Sequence, residues 1–177
     1  MSLESFLLKQ KKAVWQEWFD FLVATYPPET TRMLKKESNQ FANPVGHTFH
    51  SAIGEILDQF LGENDPGKLA PLLDRIIRIR AVQDFPPSRA LAFIYFLKRI
   101  AREMLSTELE EGRIPWKEML EFEAKVDELA LLAFDVYVRC RENLFDIKVN
   151  EIKNRTQRLL RLAEIIGDLP PEEPEDK

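Results

Sequence analysis

Between Pro115 and Gly167 the chain holds neither proline nor glycine, the two residues that most readily end a helix. In the second half of that stretch Val138, Phe145, Ile152, Leu159 and Ile166 recur every seven residues, with Val149 and Ala163 at companion positions. A seven-residue apolar repeat keeps one edge of a helix turned toward a second helix. The spacing predicts a final helix far longer than the ~11–12 residues of an average one, with an edge suited to docking.

The rest of the chain reads as helix punctuated by proline corners. A first segment, about Ser2 to Thr25, puts Leu3, Leu7, Val14, Trp18 and Phe21 on one stripe, and Pro27-Pro28 stops it. A short polar helix follows from Glu29 to Lys36. Asn43 before Pro44 makes an N-cap and first-turn pair, opening a helix that Gly62 ends, with Phe49, Ile53, Ile56, Leu57 and Phe60 inward. Another covers about Lys68 to Gln83. Its end, Ile76 to Arg80, alternates like a strand, but the chain offers no second strand to pair with it. Pro86-Pro87-Ser88 starts a helix apolar nearly all round from Leu91 to Ile100, and Gly112 and Pro115 mark the turn into the last one. The expected fold is all-α: a single-domain bundle of five long helices plus a short one over residues 1–167. An acidic, proline-rich tail over 168–177 is expected to be disordered.

At 177 residues and 45% hydrophobic side chains the chain can bury one good core. Its formal net charge of −5 disfavours general nucleic-acid binding, which depends on neutralising phosphates. Cys140 is the single cysteine, so no internal disulfide can form, and a cytoplasmic setting fits. No secretory signal opens the sequence, and no uncharged stretch nears the ~20 residues of a membrane span.

Few residues suggest chemistry. His47 and His50, three apart on one helix and flanked by Gly46 and Gly54, raise a haem or other cofactor pocket as an alternative to ordinary packing histidines. No second His/Cys cluster completes a metal site, so no metal is expected. Cys140 lies between Arg139 and Arg141, which would favour a reactive thiolate if they were near it; an inert thiol is the plainer reading. Nucleophile signatures and Gly-rich phosphate loops are absent, so no catalytic residue is assigned and an enzyme is not expected. From Lys148 to Arg161 the helix is basic, which suits an acidic partner, a membrane surface or nucleic acid, or simply the solvated face of a dimer-forming helix.

Two long stretches carry a family likeness. One is Arg78-Ile79-Arg80-Ala81-Val82-Gln83-Asp84-Phe85-Pro86-Pro87-Ser88; the other is Ala133-Phe134-Asp135-Val136-Tyr137-Val138-Arg139-Cys140-Arg141-Glu142 and its continuation to Arg155. With Asn43-Pro44-Val45-Gly46 they resemble the RsbRD-type N-terminal domain, named after co-antagonists of the RsbT kinase in bacterial stress signalling. The likeness runs from about Leu3 to Leu160. It implies an all-helical sensory domain coupled to an output through its last helix, with globin-like packing among the arrangements expected of it. The ten residues after Gly167 are too few for the phosphorylatable STAS domain of the multidomain members, so output is expected through a separate partner. The family pattern brings no catalytic residue with it.

Arg78, Arg80, Arg139 and Arg141 are the candidate ligand or anion contacts, because a buried guanidinium demands a counter-charge. Asp84, Asp135 and Glu142 are the candidate partners; an arginine buried without one would favour an anionic ligand. Asp84 or Ser88 is expected to cap the helix after the proline corner. The combined expectation is a non-enzymatic signalling module that docks or dimerises through Val138, Phe145, Val149, Ile152, Leu159 and Ile166. An accessory subunit of a larger redox or membrane-associated complex, or a haem- or small-ligand-binding globin-like sensor, is the alternative.

Overall fold

The structure, a computed structural model, describes residues 2–36 and 41–167, with side chains as far as Ala163. The tail over 168–177 and the side chain of Ile166 lie outside the described residues. Eight helices are present among these residues, and no strand: α1 (Leu3–Lys9), α2 (Lys11–Ala24), α3 (Pro28–Lys35), α4 (Pro44–Leu61), α5 (Pro66–Val82), α6 (Pro87–Met104), α7 (Ser106–Glu110) and α8 (Trp116–Gly167). The all-α expectation holds, with two more helices than expected. The first segment breaks at Gln10, whose φ of −95° and ψ of 14° leave the helical region, and one extra turn, α7, precedes the Gly112 corner.

The chain forms two compact units, Met1–Cys140 and Arg141–Lys177. In the first, α2 packs on α4 and α6, and α4 lies along α5. Trp18 of α2 is wholly buried against Phe93, and its indole Nε1 donates to the Phe93 carbonyl at 2.6 Å. Phe49, Ile53, Ile56, Leu57 and Phe60 form the buried face of α4, as their spacing predicted. Each such side chain contributes roughly 1.5–3 kcal/mol by leaving water. On α6 the burial is one-sided: Leu91, Phe93, Ile94, Leu97 and Ile100 are inside, while Tyr95 is exposed. The first half of α8 closes the bundle: Phe122 meets Phe60 edge-on at 5.7 Å, Glu118 accepts from the Leu3 N–H at 2.7 Å, and Asp127 pairs with Lys98 at 2.8 Å.

Asn43 caps α4 as expected, its Oδ1 accepting from the Gly46 N–H at 2.9 Å. The same amide also donates to the Met33 carbonyl at 2.8 Å, at the end of α3, so one buried side chain ties two helix termini together. Neither Asp84 nor Ser88 caps α6. Pro86 holds the N-cap position and no side chain bonds there. Asp84 instead takes a left-handed φ of 57° just past α5, its N–H donating to the Ala81 carbonyl and the Phe85 N–H to that of Arg80. That is a Schellman stop, in which the residue two past the cap folds back onto the last turn.

The second unit is helical through Gly167, and from Arg141 to Ala163 only Leu144 and Val149 are even half-buried.

Candidate functional site

The Schellman stop at the end of α5 carries Phe85 back over Arg80. The guanidinium carbon of Arg80 sits 4.6 Å from the centroid of the Phe85 ring, 5.5 Å from Tyr26 and 5.8 Å from Phe93. Arg80 is fully buried. Its Nη2 donates to the Thr25 hydroxyl at 2.9 Å and to the Arg89 carbonyl at 2.8 Å, in the first turn of α6. Its Nε and Nη1 have no hydrogen-bond partner. Burial lowers its pKa from the ordinary arginine value to about 10; Tyr26 opposes that shift and Arg89 adds to it.

No carboxylate figures among the groups acting on this charge. The acids expected to pair with it do not: Asp84 is exposed with interactions of its own, and Asp135 and Glu142 are exposed on α8. Tyr26 supplies no counter-charge either, because burial pushes its phenol above the ordinary value and its hydroxyl donates to Gln83 Oε1 at 2.8 Å. Three rings partly compensate a desolvated cation, at roughly 0.5–2 kcal/mol apiece.

Around this head the familiar motif becomes spatial. Arg89 stacks at 5.4 Å on the same Phe85 ring, and its Nη2 donates to the Thr25 carbonyl at 3.1 Å. The Phe85 carbonyl accepts from the Tyr137 hydroxyl of α8 at 2.7 Å. The two stretches that carry the family likeness thus meet at Phe85. Of this cluster only Arg80 is legible in the sequence as a candidate; Phe93 reads as part of an apolar helix, Tyr26 carries only the signal of an aromatic beside a proline corner, and Thr25 and Arg89 carry none.

The other candidates separate. Arg78 is exposed and pairs with Asp74 at 2.6 Å, the i,i+4 ion pair that the sequence suggests. Arg139 is exposed in the first unit, and Arg141 belongs to the second. Cys140 is buried and donates to Asp74 Oδ1 at 3.3 Å. Burial first, then Asp74, pushes its thiol up to about 11, outweighing the opposing charges of Arg78 and Arg139.

His47 and His50 are both exposed and share a cleft of about 240 Å³ with Phe19, Leu34, Lys35, Lys36 and Gly46. The cleft is smaller than the ~300–1,000 Å³ typical of sites that bury sizeable ligands. The His50 ring meets Trp15 edge-on at 4.4 Å, and the Trp15 indole lies against Gly54, occupying the groove anticipated there. No group of three metal-ligating side chains occurs among the described residues. No described helix is long and apolar enough to cross a membrane.

The seam residues stand in the open. Phe145, Ile152 and Leu159 are 68%, 64% and 61% exposed, Val138 lies at the margin and Val149 is half-buried.

Among known proteins, an uncharacterized protein of Archaeoglobus fulgidus is 25% identical over 144 residues, covering 80% of this chain and 83% of its own length. No solved structure matches. The family model described as the RsbT co-antagonist protein rsbRD N-terminal domain matches residues 12–151. With two ordered motifs meeting at one corner and most of its length matched, the chain belongs to the RsbT co-antagonist rsbRD N-terminal domain family, a family of regulatory sensory modules not known for catalysis.

Proposed function

We propose that the protein is a non-enzymatic regulatory module that acts by docking the second half of α8 onto another helix, in the first instance that of a second copy. The exposure of Phe145, Ile152 and Leu159 carries this reading. These three side chains repeat at heptad spacing, and helices so patterned gain stability by burying the repeat against one another. Helices in proteins take most of their stability from packing an apolar face rather than from propensity, so a covering partner would stabilise this exposed segment. A shift in helix packing inside the first unit, favoured by a ligand or partner, is the response that such a module transmits. The basic face between Lys148 and Arg161 would then border the contact.

The test is sedimentation velocity over a concentration series, comparing the full chain with an Ile152→Asp/Leu159→Asp variant. The wild type should assemble while the variant stays monomeric with its core melting intact. A variant that assembles like the wild type, or a wild type monomeric throughout, overturns the second-copy reading.

A further inference from the structure

We propose that the corner formed by Arg80, Arg89 and the first turn of α6 is a binding site for a small monovalent oxyanion or carboxylate. Three observations converge there. Arg80 is a fully buried cation with two N–H groups, Nε and Nη1, that meet no acceptor. Buried charges are normally paired, and an orphaned buried donor points to a missing water or ion. A second guanidinium, Arg89, stacks on the same Phe85 ring, so two cations share one corner. Finally, α6 is eighteen residues long and opens without a side-chain cap, so its N-terminal turn carries uncapped partial positive charge, and the Arg80 head is tied to that turn through the Arg89 carbonyl.

The local charges favour a monoanion. At neutral pH Tyr26 is an uncharged phenol and Arg89 a second cation, so one uncompensated buried cation asks for one negative charge. The Tyr26, Phe85 and Phe93 rings, 4.6–5.8 Å from the guanidinium carbon, favour a small guest. Of those rings Phe85 is the most accessible, since Tyr26 and Phe93 are buried, so entry leads past it. Because Nη2 is engaged by Thr25 and Arg89, the guest would take single hydrogen bonds from Nε or Nη1 rather than a two-pronged grip. Displacing Phe85 would also disturb the hydrogen bond from Tyr137 to its carbonyl, bringing the event to α8. Only this last consequence rests on the docking function proposed above; the site itself does not.

The test uses the full chain and six probes, chloride, nitrate, formate, acetate, phosphate and sulfate, compared at equal ionic strength. Melting temperature and the arginine Nε–H resonances are followed together. At least one of nitrate, formate and acetate should raise the melting temperature saturably and move the Arg80 resonance more than chloride does. Arg89→Gln, an exposed change that spares the core, should weaken that response about tenfold. The Ile152→Asp/Leu159→Asp variant should bind as the wild type does, so loss of docking and loss of binding are read separately. The proposal is overturned if no probe gives a saturable response, if all six act equally, or if Arg89→Gln changes nothing; a water bridging the orphaned donors is then the explanation.

Discussion

At the scale of single residues, the protein keeps a positive charge where water cannot reach it. The fall of the Arg80 pKa from the ordinary arginine value to about 10 corresponds to about 3 kcal/mol against the charged head. For a base with a depressed native pKa that cost is fully present at neutral pH and is relieved only as pH rises above about 10, toward the value of the unfolded chain. Arg80→Met keeps the bulk and removes the charge, so in anion-free buffer it should change stability by less than about 1 kcal/mol despite complete burial. Arg80→Ala should cost about 3 kcal/mol by leaving a cavity. Urea unfolding of the two variants checks the contrast; equal losses would mean that the charge itself stabilises the fold.

Cys140 behaves oppositely, as an acid held protonated by burial. Its thiol, near 11, leaves almost no thiolate at neutral pH, so labelling by a disulfide reagent should run at least about a hundredfold slower in the native protein than in urea. Native stability should decline as pH climbs from 9 through 11, because the unfolded chain releases this proton first. Rapid native labelling would show that the thiol is less enclosed than its contacts imply.

At the scale of helices, sequence pattern and chain geometry agree wherever a proline or a cap sets the boundary. Asn43-Pro44 and Pro86-Pro87 start α4 and α6 to within a residue of expectation. The break at Gln10 was not legible, because no helix breaker marks it and only packing selects it. Nor was the role of Asp84, since a carboxylate before a helix reads equally well as a cap or as a left-handed stop. The two glycines of α4 also part company once atoms are placed. A Cβ at Gly54 would meet the Trp15 indole at 3.5 Å, an ordinary contact, whereas one at Gly46 would lie 2.2 Å from the Asn43 amide. Gly54→Ala should therefore stabilise by about 0.5–1 kcal/mol through helix propensity. Gly46→Ala should cost about 2 kcal/mol by displacing the cap. Thermal melts of both decide the matter, and like signs would discard this packing account.

For the whole molecule, the periodicity of the last helix was the most legible feature and the buried arginine box the least. A heptad repeat is written in one segment, whereas Thr25, Tyr26, Arg80, Phe85, Phe93 and Tyr137 come together only through tertiary packing. The two units should also differ in local stability. Amides of α8 before Cys140 belong to a packed core, while those from Arg141 to Ala163 carry exposed side chains. Hydrogen exchange on the dilute chain should be slow over the former and much faster over the latter. Raising the protein concentration should slow exchange between Arg141 and Ala163 alone; uniform protection at every concentration would contradict a seam that awaits covering.

The amide joining α3 to α4 is also chemically durable. Asparagine ages mainly when the next backbone nitrogen attacks its side chain to close a five-membered imide. Pro44, as the residue after Asn43, has no proton on that nitrogen. The joint is thereby spared conversion to aspartate, a change that would set a carboxylate against the Met33 carbonyl.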